Sequence, residues 1–236
     1  MRRALPCLLF LLVLGLCPPA MAGPKVCMGQ AATFPGTAGD DRITGTSGPD
    51  VIALGAGNDV AWGLEGDDLI CGGDGEDAIY GDLGDDDLYG GPGVDGVYGR
   101  EDDDLLFGGS GGDQLTGGGG DQGADEVHGE EGDDHILGQN GDDLLFGEGG
   151  ADAVQADGGD DLAVGGPGAD VLAGDVGVDD LRGGGGDDRL FGNDSSDELD
   201  GGADFDRLNG GNDGNGKNEP GDRCVNGESL VACERS

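Results

Sequence analysis

The residues of this chain that could do chemistry are aspartates that recur every nine residues. Nineteen of them hold the same position of a repeat that runs from Gly36 to Asn209, with one slip of three residues at Gly117–Gly120. They are Asp41, Asp50, Asp59, Asp68, Asp77, Asp86, Asp95, Asp104, Asp113, Asp125, Asp134, Asp143, Asp152, Asp161, Asp170, Asp179, Asp188, Asp197 and Asp206. Carboxylates are the ligands of hard cations. Their regular spacing indicates a series of similar sites rather than one centre.

The spacing predicts that these aspartates stand in two columns. A period of nine fits neither a helical face nor a long alternating strand. We therefore expect two repeats to form one coil, and repeats n and n+2 to stack as parallel strands about 4.8 Å apart. Nineteen repeats form seventeen such stacked pairs, because the last two repeats have no later repeat beside them. Two unit charges about 5 Å apart in water repel by roughly 0.8 kcal/mol, and by more where they are partly desolvated. The columns oppose folding unless a cation lies between the carboxylates.

The residue types favour calcium as that cation. Carboxylates from adjacent coils and the carbonyls of the turns offer the roughly six to eight oxygens that Ca²⁺ takes in flexible geometry. Mg²⁺ requires a tighter octahedron, and Zn²⁺ prefers His or Cys. We predict that the nineteen aspartates bind multiple Ca²⁺ ions.

Tight turns and very short strands must position these aspartates. The repeat reads G-G-x-G-x-D-x-U-x, where U is apolar in all nineteen copies, from Ile43 to Leu208. The fourth position is glycine except at Asp102, Ser195 and Asp204. Glycine supplies the positive φ angles of tight turns, and x-U-x predicts a three-residue strand with one inward side chain. The chain is predicted to be all-β, with a thin core formed by one row of inward apolar side chains.

The repeats resemble the RTX, or hemolysin-type, calcium-binding nonapeptide repeat. The resemblance covers 174 of 236 residues. It implies a right-handed parallel β-roll, a β-solenoid of about nine coils, with Ca²⁺ in the turns between coils. Leu54 and Ala156 depart from the pattern at the first position, and we expect altered sites there and at the fourth-position substitutions. The slip before Asp125 is expected to interrupt one column.

The charge and composition exclude several partners. The formal net charge is −40, whereas nucleic-acid binding needs clustered Lys and Arg. We therefore expect no nucleic-acid partner and no attachment to anionic membranes. The chain has 57 glycines and only 4% aromatic residues, a composition typical of disordered chains. We expect the chain to be disordered without calcium and folded when calcium is bound.

The N-terminal segment predicts export. Residues 1–22 have the pattern of a secretory signal: Arg2 and Arg3, the apolar run Leu8–Leu16, and a small-residue cleavage site ending at Ala22. The apolar run is too short to span a membrane. The predicted organisation is a signal peptide at 1–22, an N-terminal cap at 23–35, the repeats at 36–209 and a C-terminal cap at 210–236, in a secreted protein.

The cysteines predict that the caps are cross-linked. Four cysteines remain after removal of the signal peptide, and an even number in an exported chain favours disulfides over free thiols. We predict the pairs Cys27–Cys71 and Cys224–Cys233. Linked ends suit a solenoid, whose first and last coils otherwise expose open strands.

The sequence predicts no enzyme. Acid–base catalysis needs two carboxylates in different environments, whereas repetition gives them similar ones. His128 and His135 stand beside inward positions and lack the spacing of a zinc site. We assign both histidines to a solvated surface, and we predict no catalytic residue and no cofactor other than Ca²⁺.

The ninth position of the repeat collects most of the aromatic residues. They are Trp62, Tyr80, Tyr89, Tyr98, Phe107, Phe146 and Phe191. Trp62, Tyr80 and Tyr98 should lie on successive coils of one sheet, and Tyr89 and Phe107 on the other. One interpretation is cross-strand stacking that stiffens the sheets. The other is that Trp62, Tyr80 and Tyr98 form an exposed strip that binds an extracellular polysaccharide or a cell-surface protein.

The main hypothesis is a secreted, non-enzymatic β-roll that folds on binding multiple Ca²⁺ ions. The alternatives are a cell-surface or matrix adhesin that binds polysaccharide, and an accessory protein to a separate secreted enzyme.

Overall fold

The computed structural model describes residues 25–118, 123–211, 223–226 and 229–231. The predicted signal peptide and Cys233 lie outside these ranges. Every regular element within them is a β-strand. In chain order the strands are β1 (Val26–Cys27), β2 (Gln30–Ala31), β3 (Phe34–Pro35), β4 (Arg42–Thr44), β5 (Val51–Ala56), β6 (Val60–Glu65), β7 (Leu69–Asp74), β8 (Ala78–Leu83), β9 (Asp87–Pro92), β10 (Gly96–Glu101), β11 (Leu105–Ser110), β12 (Gln114–Gly118), β13 (Glu126–Glu131), β14 (His135–Asn140), β15 (Leu144–Gly149), β16 (Ala153–Gly158), β17 (Leu162–Pro167), β18 (Val171–Val176), β19 (Asp180–Gly185), β20 (Arg189–Asp194), β21 (Glu198–Ala203), β22 (Arg207–Gly211), β23 (Arg223–Val225) and β24 (Ser229–Val231).

Two parallel sheets of eleven strands each form the faces of a β-solenoid. One sheet contains the odd-numbered strands from β3 to β23, and the other contains the even-numbered strands from β4 to β24. Consecutive strands therefore alternate between the sheets, and each coil gives one strand to each. The strands β1 and β2 form a separate antiparallel hairpin. The predicted all-β parallel solenoid is confirmed, and β3, β23 and β24 extend it beyond the about nine coils that the repeats alone imply.

Two repeats make one coil, as the spacing predicts. Tyr80 pairs with Tyr98, and Ile79 with Val97, one coil apart in the same sheet. The three-residue slip does not disturb this alignment, because Leu105 still pairs with Glu126 beyond it. The same side chains therefore recur in rows along the solenoid.

Most strands are six residues long, so the three-residue strand predicted from x-U-x is wrong. The strand Leu105–Ser110 begins at the seventh position of one repeat and continues through the third position of the next. The reason lies at the second position, where the φ angle is positive, as at Gly109 (φ 114°). Gly109 nevertheless pairs with Gly91 of the neighbouring coil. The backbone thus bends without leaving the sheet, and only the fourth to sixth positions remain for the turn.

The core is a single row of aliphatic side chains, mostly Leu and Ile, between the two sheets. The eighth-position residues from Ile52 to Leu208 are buried and form one continuous cluster. The first position also faces inward, so the side chains of Leu54 and Ala156 are fully buried in the same row.

A disulfide joins Cys27 of β1 to Cys71 of β7, with a Cα–Cα distance of 5.6 Å. This confirms one of the two predicted pairs. Cys224 is also disulfide-bonded, but Cys233 lies outside the described residues, so the pair Cys224–Cys233 stays a prediction. None of the described segments forms a helix with the length and apolarity that a membrane crossing requires.

Candidate metal centres

The nineteen predicted site residues stand in two hydrogen-bonded columns. The backbone N–H of Asp86 donates to Oδ1 of Asp104, one coil later, at 2.9 Å. The same bond joins all seventeen neighbouring pairs. The first column contains Asp41, Asp59, Asp77, Asp95, Asp113, Asp134, Asp152, Asp170, Asp188 and Asp206. The second contains Asp50, Asp68, Asp86, Asp104, Asp125, Asp143, Asp161, Asp179 and Asp197. One carboxylate oxygen of nearly every aspartate thus holds the backbone of the preceding coil.

The slip before Asp125 does not interrupt its column, contrary to expectation. Asp104 N–H donates to Asp125 Oδ1 at 2.9 Å, and Asp125 N–H donates to Asp143 Oδ1 at 2.9 Å. The surplus residues fall between the second position, Gly118, which ends β12, and the fourth position, Gly123. Both columns therefore keep their register.

The other carboxylate oxygen, Oδ2, lies near backbone carbonyl oxygens, which are also hydrogen-bond acceptors. A Cβ atom built on Gly108 would lie 2.6 Å from Asp113 Oδ2 and 2.8 Å from the carbonyl oxygen of Gly129. A Cβ on Gly138 would likewise lie 2.5 Å from Asp143 Oδ2. Glycine at the first position therefore lets a carboxylate oxygen and a carbonyl oxygen of the next coil approach one another. Both are hydrogen-bond acceptors, so neither can satisfy the other.

These Oδ2 atoms are buried and lack a hydrogen-bond partner in most of the described turns. They belong to Asp59, Asp68, Asp77, Asp86, Asp95, Asp104, Asp113, Asp134, Asp143, Asp152, Asp161, Asp170, Asp179, Asp188 and Asp206. A buried carboxylate oxygen without a partner is costly, by several kcal/mol in order of magnitude. Its repetition along both columns indicates that a further species belongs in the turns.

Burial makes the ionised columns unfavourable when no cation is bound. Removal from water, together with the neighbouring carboxylates of Asp86 and Asp125, raises the pKa of the Asp104 carboxyl to about 9. Burial also raises the pKa of Asp86 to about 7 and that of Asp143 to about 6. A cation beside Oδ2 reverses this effect, because an opposite charge favours the ionised form.

The donor set fits a hard cation that is bound by oxygen. The described ranges contain no group of three or more His, Cys, Asp and Glu side chains that could hold a metal ion by themselves. An ion would need backbone carbonyls in addition to carboxylates. The first-position carbonyls, such as Gly129 O opposite Asp113, supply them. Carboxylate and carbonyl oxygens suit Ca²⁺, whereas Zn²⁺ prefers nitrogen and sulfur ligands.

The first aspartate of each column is arranged differently, which the sequence reasoning missed. Asp41 Oδ2 accepts hydrogen bonds from the Thr37 N–H at 2.5 Å and the Thr37 hydroxyl at 2.8 Å. Asp50 Oδ2 accepts them from the Thr46 N–H at 2.7 Å and hydroxyl at 3.0 Å. The Thr37 N–H and hydroxyl, followed by the charge of Lys25, lower the pKa of Asp41. The available signal was that threonine holds the second position only in the first two repeats.

A second set of carboxylates, at the fifth position, accepts hydrogen bonds between adjacent coils at the surface. We call this set the outer ladder, and its hydrogen bonds run in the opposite direction to those of the sixth-position columns. Here the N–H of the later coil donates to the earlier side chain, as from Asp160 to Asp142 Oδ1 at 2.9 Å and from Ala151 to Asp133 Oδ1 at 2.8 Å. These bonds are exposed. The fifth-position carboxylates therefore fasten adjacent turns at the surface, and only the sixth-position ones are buried.

The ninth-position rings stack in rows, as predicted. Trp62 and Tyr80 have ring centroids 5.9 Å apart, and Tyr80 and Tyr98 4.9 Å apart, with nearly parallel planes. On the other sheet Tyr89 and Phe107 are 5.0 Å apart. Because the rings lie face to face, the two faces of Tyr80 are covered by Trp62 and Tyr98.

His128 lies at the surface, where 18% of its side chain is exposed, but its ring also belongs to the second row. Its ring lies 4.8 Å from those of Phe107 and Phe146. Its Nδ1 is 2.9 Å from Glu148 Oε1, and its Nε2 is 3.0 Å from Glu126 Oε1. The ninth position places the imidazole in register with the benzene rings, which a list of aromatic residues alone does not show. His135, at the seventh position, is exposed as predicted.

Comparison with known families gives one match. A family model described as RTX calcium-binding nonapeptide repeat (4 copies) matches residues 35–70, 62–97, 89–121, 120–154, 155–190, 173–208 and 191–215. No curated protein matches the chain.

Proposed function

The chain belongs to the RTX calcium-binding nonapeptide repeat family, and we propose that it is a secreted, non-enzymatic β-roll that folds on binding multiple Ca²⁺ ions. The observation that carries the proposal is the row of buried Oδ2 atoms, several of them close to a first-position carbonyl oxygen of the next coil, as Asp113 Oδ2 is to Gly129 O. Ca²⁺ would supply positive charge and a flexible coordination sphere at these places.

Each part of the repeat has a role in this proposal. Oδ1 of the sixth-position aspartate holds the backbone of the preceding coil, and Oδ2 is left for the ion. The glycine at the first position leaves space beside Oδ2, as Gly108 does beside Asp113. The first-position carbonyl of the next coil, such as Gly129 O, provides a further oxygen ligand for the ion. All nineteen aspartates are candidate ligands, and Asp41 and Asp50 differ from the others because threonines already bind them.

Calcium concentration would separate an unfolded state inside the cell from a folded state outside it. Extracellular calcium modules bind with dissociation constants of about 10⁻⁴–10⁻³ M, far above cytosolic free calcium. Since the ligands come together only on folding, the free energy of binding is free energy of folding. The Cys27–Cys71 disulfide suits an oxidising compartment. Export through the signal at 1–22 is part of this proposal.

Circular dichroism and native mass spectrometry of the mature chain, with disulfides intact, test the proposal together. We expect the strand signal to disappear when a chelator removes calcium and to return on adding Ca²⁺, but not Mg²⁺ at the same concentration. The mass spectra should show several bound ions in the folded state alone. A strand signal that persists at neutral pH after chelation contradicts the proposal.

A second candidate function is attachment to an extracellular polysaccharide or a cell-surface protein through Trp62, Tyr80 and Tyr98. The observation in its favour is the continuous row of three rings on one sheet, with the guanidinium of Arg100 5.0 Å from the Tyr80 ring centroid. The test replaces Trp62 and Tyr80 together by alanine and measures binding to whole cells and glycans.

The matched control for this test is the double variant Tyr89→Ala and Phe107→Ala, which removes a stacked pair from the other sheet. Attachment lost only in the Trp62 and Tyr80 variant supports the second function. Equal attachment of the two variants leaves these rings with a stabilising role alone.

A further inference from the structure

Lys25 makes an unusual contact at the first coil. Its ammonium group donates hydrogen bonds to two backbone carbonyls, Thr37 O at 2.6 Å and Leu54 O. Thr37 stands at the second position of the first repeat, and Leu54 at the first position of the repeat one coil later. A Cβ atom on Gly55 would meet the ammonium group, so the glycine at this position leaves space for it. The lysine therefore reaches from outside the repeats into the first turn.

The oxygens around Lys25 correspond to those of the later turns. Leu54 O is the first-position carbonyl of the next coil, the equivalent of Gly129 O. Asp41 Oδ2 is the equivalent of Asp113 Oδ2. A Cβ on Gly36 would lie 3.0 Å from Asp41 Oδ2 and would also contact Leu54 O, as a Cβ on Gly108 would contact its two oxygens. The ammonium of Lys25 thus binds the carbonyl that, in later turns, faces a buried carboxylate oxygen without a partner.

We propose that Lys25 is a tethered cation that serves the first turn in place of a bound ion. Its charge neutralises this acceptor set, and Thr37 supplies the hydrogen bonds that Asp41 Oδ2 needs. Unlike a dissolved ion, the ammonium is present at every calcium concentration. The first coil therefore holds its turn without calcium and offers a formed edge to the second coil. The inference rests on the proposed function for the identity of the ion that Lys25 replaces.

The Lys25→Met variant tests the proposal, because methionine retains most of the side-chain length and removes the charge and the donors. Arg42→Met is the matched control, because Arg42 is exposed on the same coil and the change in net charge is the same. Hydrogen exchange is measured on the full mature chain at saturating calcium. We expect the amides of residues 36–44 to exchange about tenfold faster or more in Lys25→Met, as loss of charged hydrogen bonds implies. Exchange equal to that of Arg42→Met overturns the proposal.

The unaltered protein provides a second measurement, which does not depend on how the variants fold. The rate of acetylation of the Lys25 amine is compared between the folded, calcium-loaded chain and the chain in guanidinium. We expect at least tenfold protection in the folded chain, about the effect of a charged hydrogen bond, and equal rates contradict the proposal.

These results separate the inference from the proposed function. A wild-type chain that keeps its strand signal in chelator contradicts calcium-dependent folding, but leaves the contact of Lys25 with Thr37 and Leu54 to be judged by exchange. Conversely, a chain that folds only with calcium, and in which Lys25→Met behaves like Arg42→Met, overturns the role of Lys25 alone.

Discussion

The backbone N–H of Asp104 donates to the side chain of Asp125 at 2.9 Å, although twenty-one residues separate them instead of the usual eighteen. The two aspartates occupy equivalent places on successive coils. The hydrogen bond therefore depends on the alignment of the strands and not on the length of the turn. A turn of this solenoid can take up additional residues while the columns stay in register.

Deletion of Gly119–Asp121 is expected to leave the fold and the calcium count unchanged. The deletion restores a nine-residue repeat, in which Gln122 follows Gly118 directly. Because the deleted residues lie between the strands β12 and β13, we expect the free energy of unfolding at saturating calcium to change by no more than about 0.5 kcal/mol. Denaturant unfolding and native mass spectrometry measure this. As a control, deletion of Gly96–Tyr98 removes three residues of β10, including the core residue Val97, and should abolish the cooperative transition.

Asp143→Asn is expected to have opposite effects with and without calcium. Asparagine keeps the oxygen that accepts the hydrogen bond from the Asp125 N–H, but it replaces the buried, charged Oδ2. With calcium, we expect fewer bound ions and a loss of roughly 1–3 kcal/mol. In chelator, the same change relieves charge repulsion and should favour folding.

The control for that substitution is Asp142→Asn. The adjacent Asp142 is exposed and belongs to the outer ladder, where its Oδ1 accepts the Asp160 N–H. Asparagine retains this acceptor, so the calcium count and the stability should stay near those of the wild type. Equal effects of the two substitutions would show that burial of Oδ2 does not determine ion binding.

Acid is expected to replace calcium in part. The folded-state pKa is about 6 for Asp143, about 7 for Asp86 and about 9 for Asp104, each raised from the ordinary value of 3.8 chiefly by burial. Because these folded-state values are raised, the calcium-free fold is most stable below pH 3.8 and loses stability as the pH rises through about 6 to about 9. The chelated chain should therefore gain strand signal in circular dichroism between pH 8 and pH 4. A signal that stays flat over this range contradicts the raised pKa values.

Leu145→Ala is expected to cost about 2–4 kcal/mol of unfolding free energy at saturating calcium, because Leu145 is fully buried in the core. The neighbouring Leu144 faces outward and is 41% exposed, so Leu144→Ala should cost about 0.5 kcal/mol or less. Chemical denaturation of both variants tests the alternation of inward and outward positions. Similar losses for the two substitutions would contradict it.

The repeat made much of the architecture predictable. A strict nine-residue period with an apolar eighth position predicts one row of buried apolar side chains and two columns of aspartate. The structure contains the row and the two columns. The stacking of Tyr80 with Trp62 and Tyr98 followed from the same register. These features depend only on which residues share a row, which a sequence periodicity gives directly.

The remaining features depend on contacts that periodicity does not encode. Lys25 lies outside the repeats, and only the path of the chain through β1 brings it to Thr37 and Leu54. The six-residue strands arise because positions with a positive φ still pair in the sheet. The continuity of the column at Asp125 depends on the pairing of the flanking strands with their neighbours, as of Leu105 with Glu126, which a residue count does not show. Weighing His128 only as a surface residue against a zinc ligand overlooks its ring, which has the flat shape that the row requires.

The aspartate columns also have a direction. In every one of the seventeen bonds the donor is the earlier aspartate and the acceptor is the later one, as with Asp170 and Asp188 at 2.9 Å. An amide in one coil is thus satisfied only by the carboxylate that the following coil brings. Each coil therefore presents aspartate N–H donors toward the later coil and aspartate carboxylate acceptors toward the earlier one. The two faces of a coil are not interchangeable, so the columns specify a single direction of stacking.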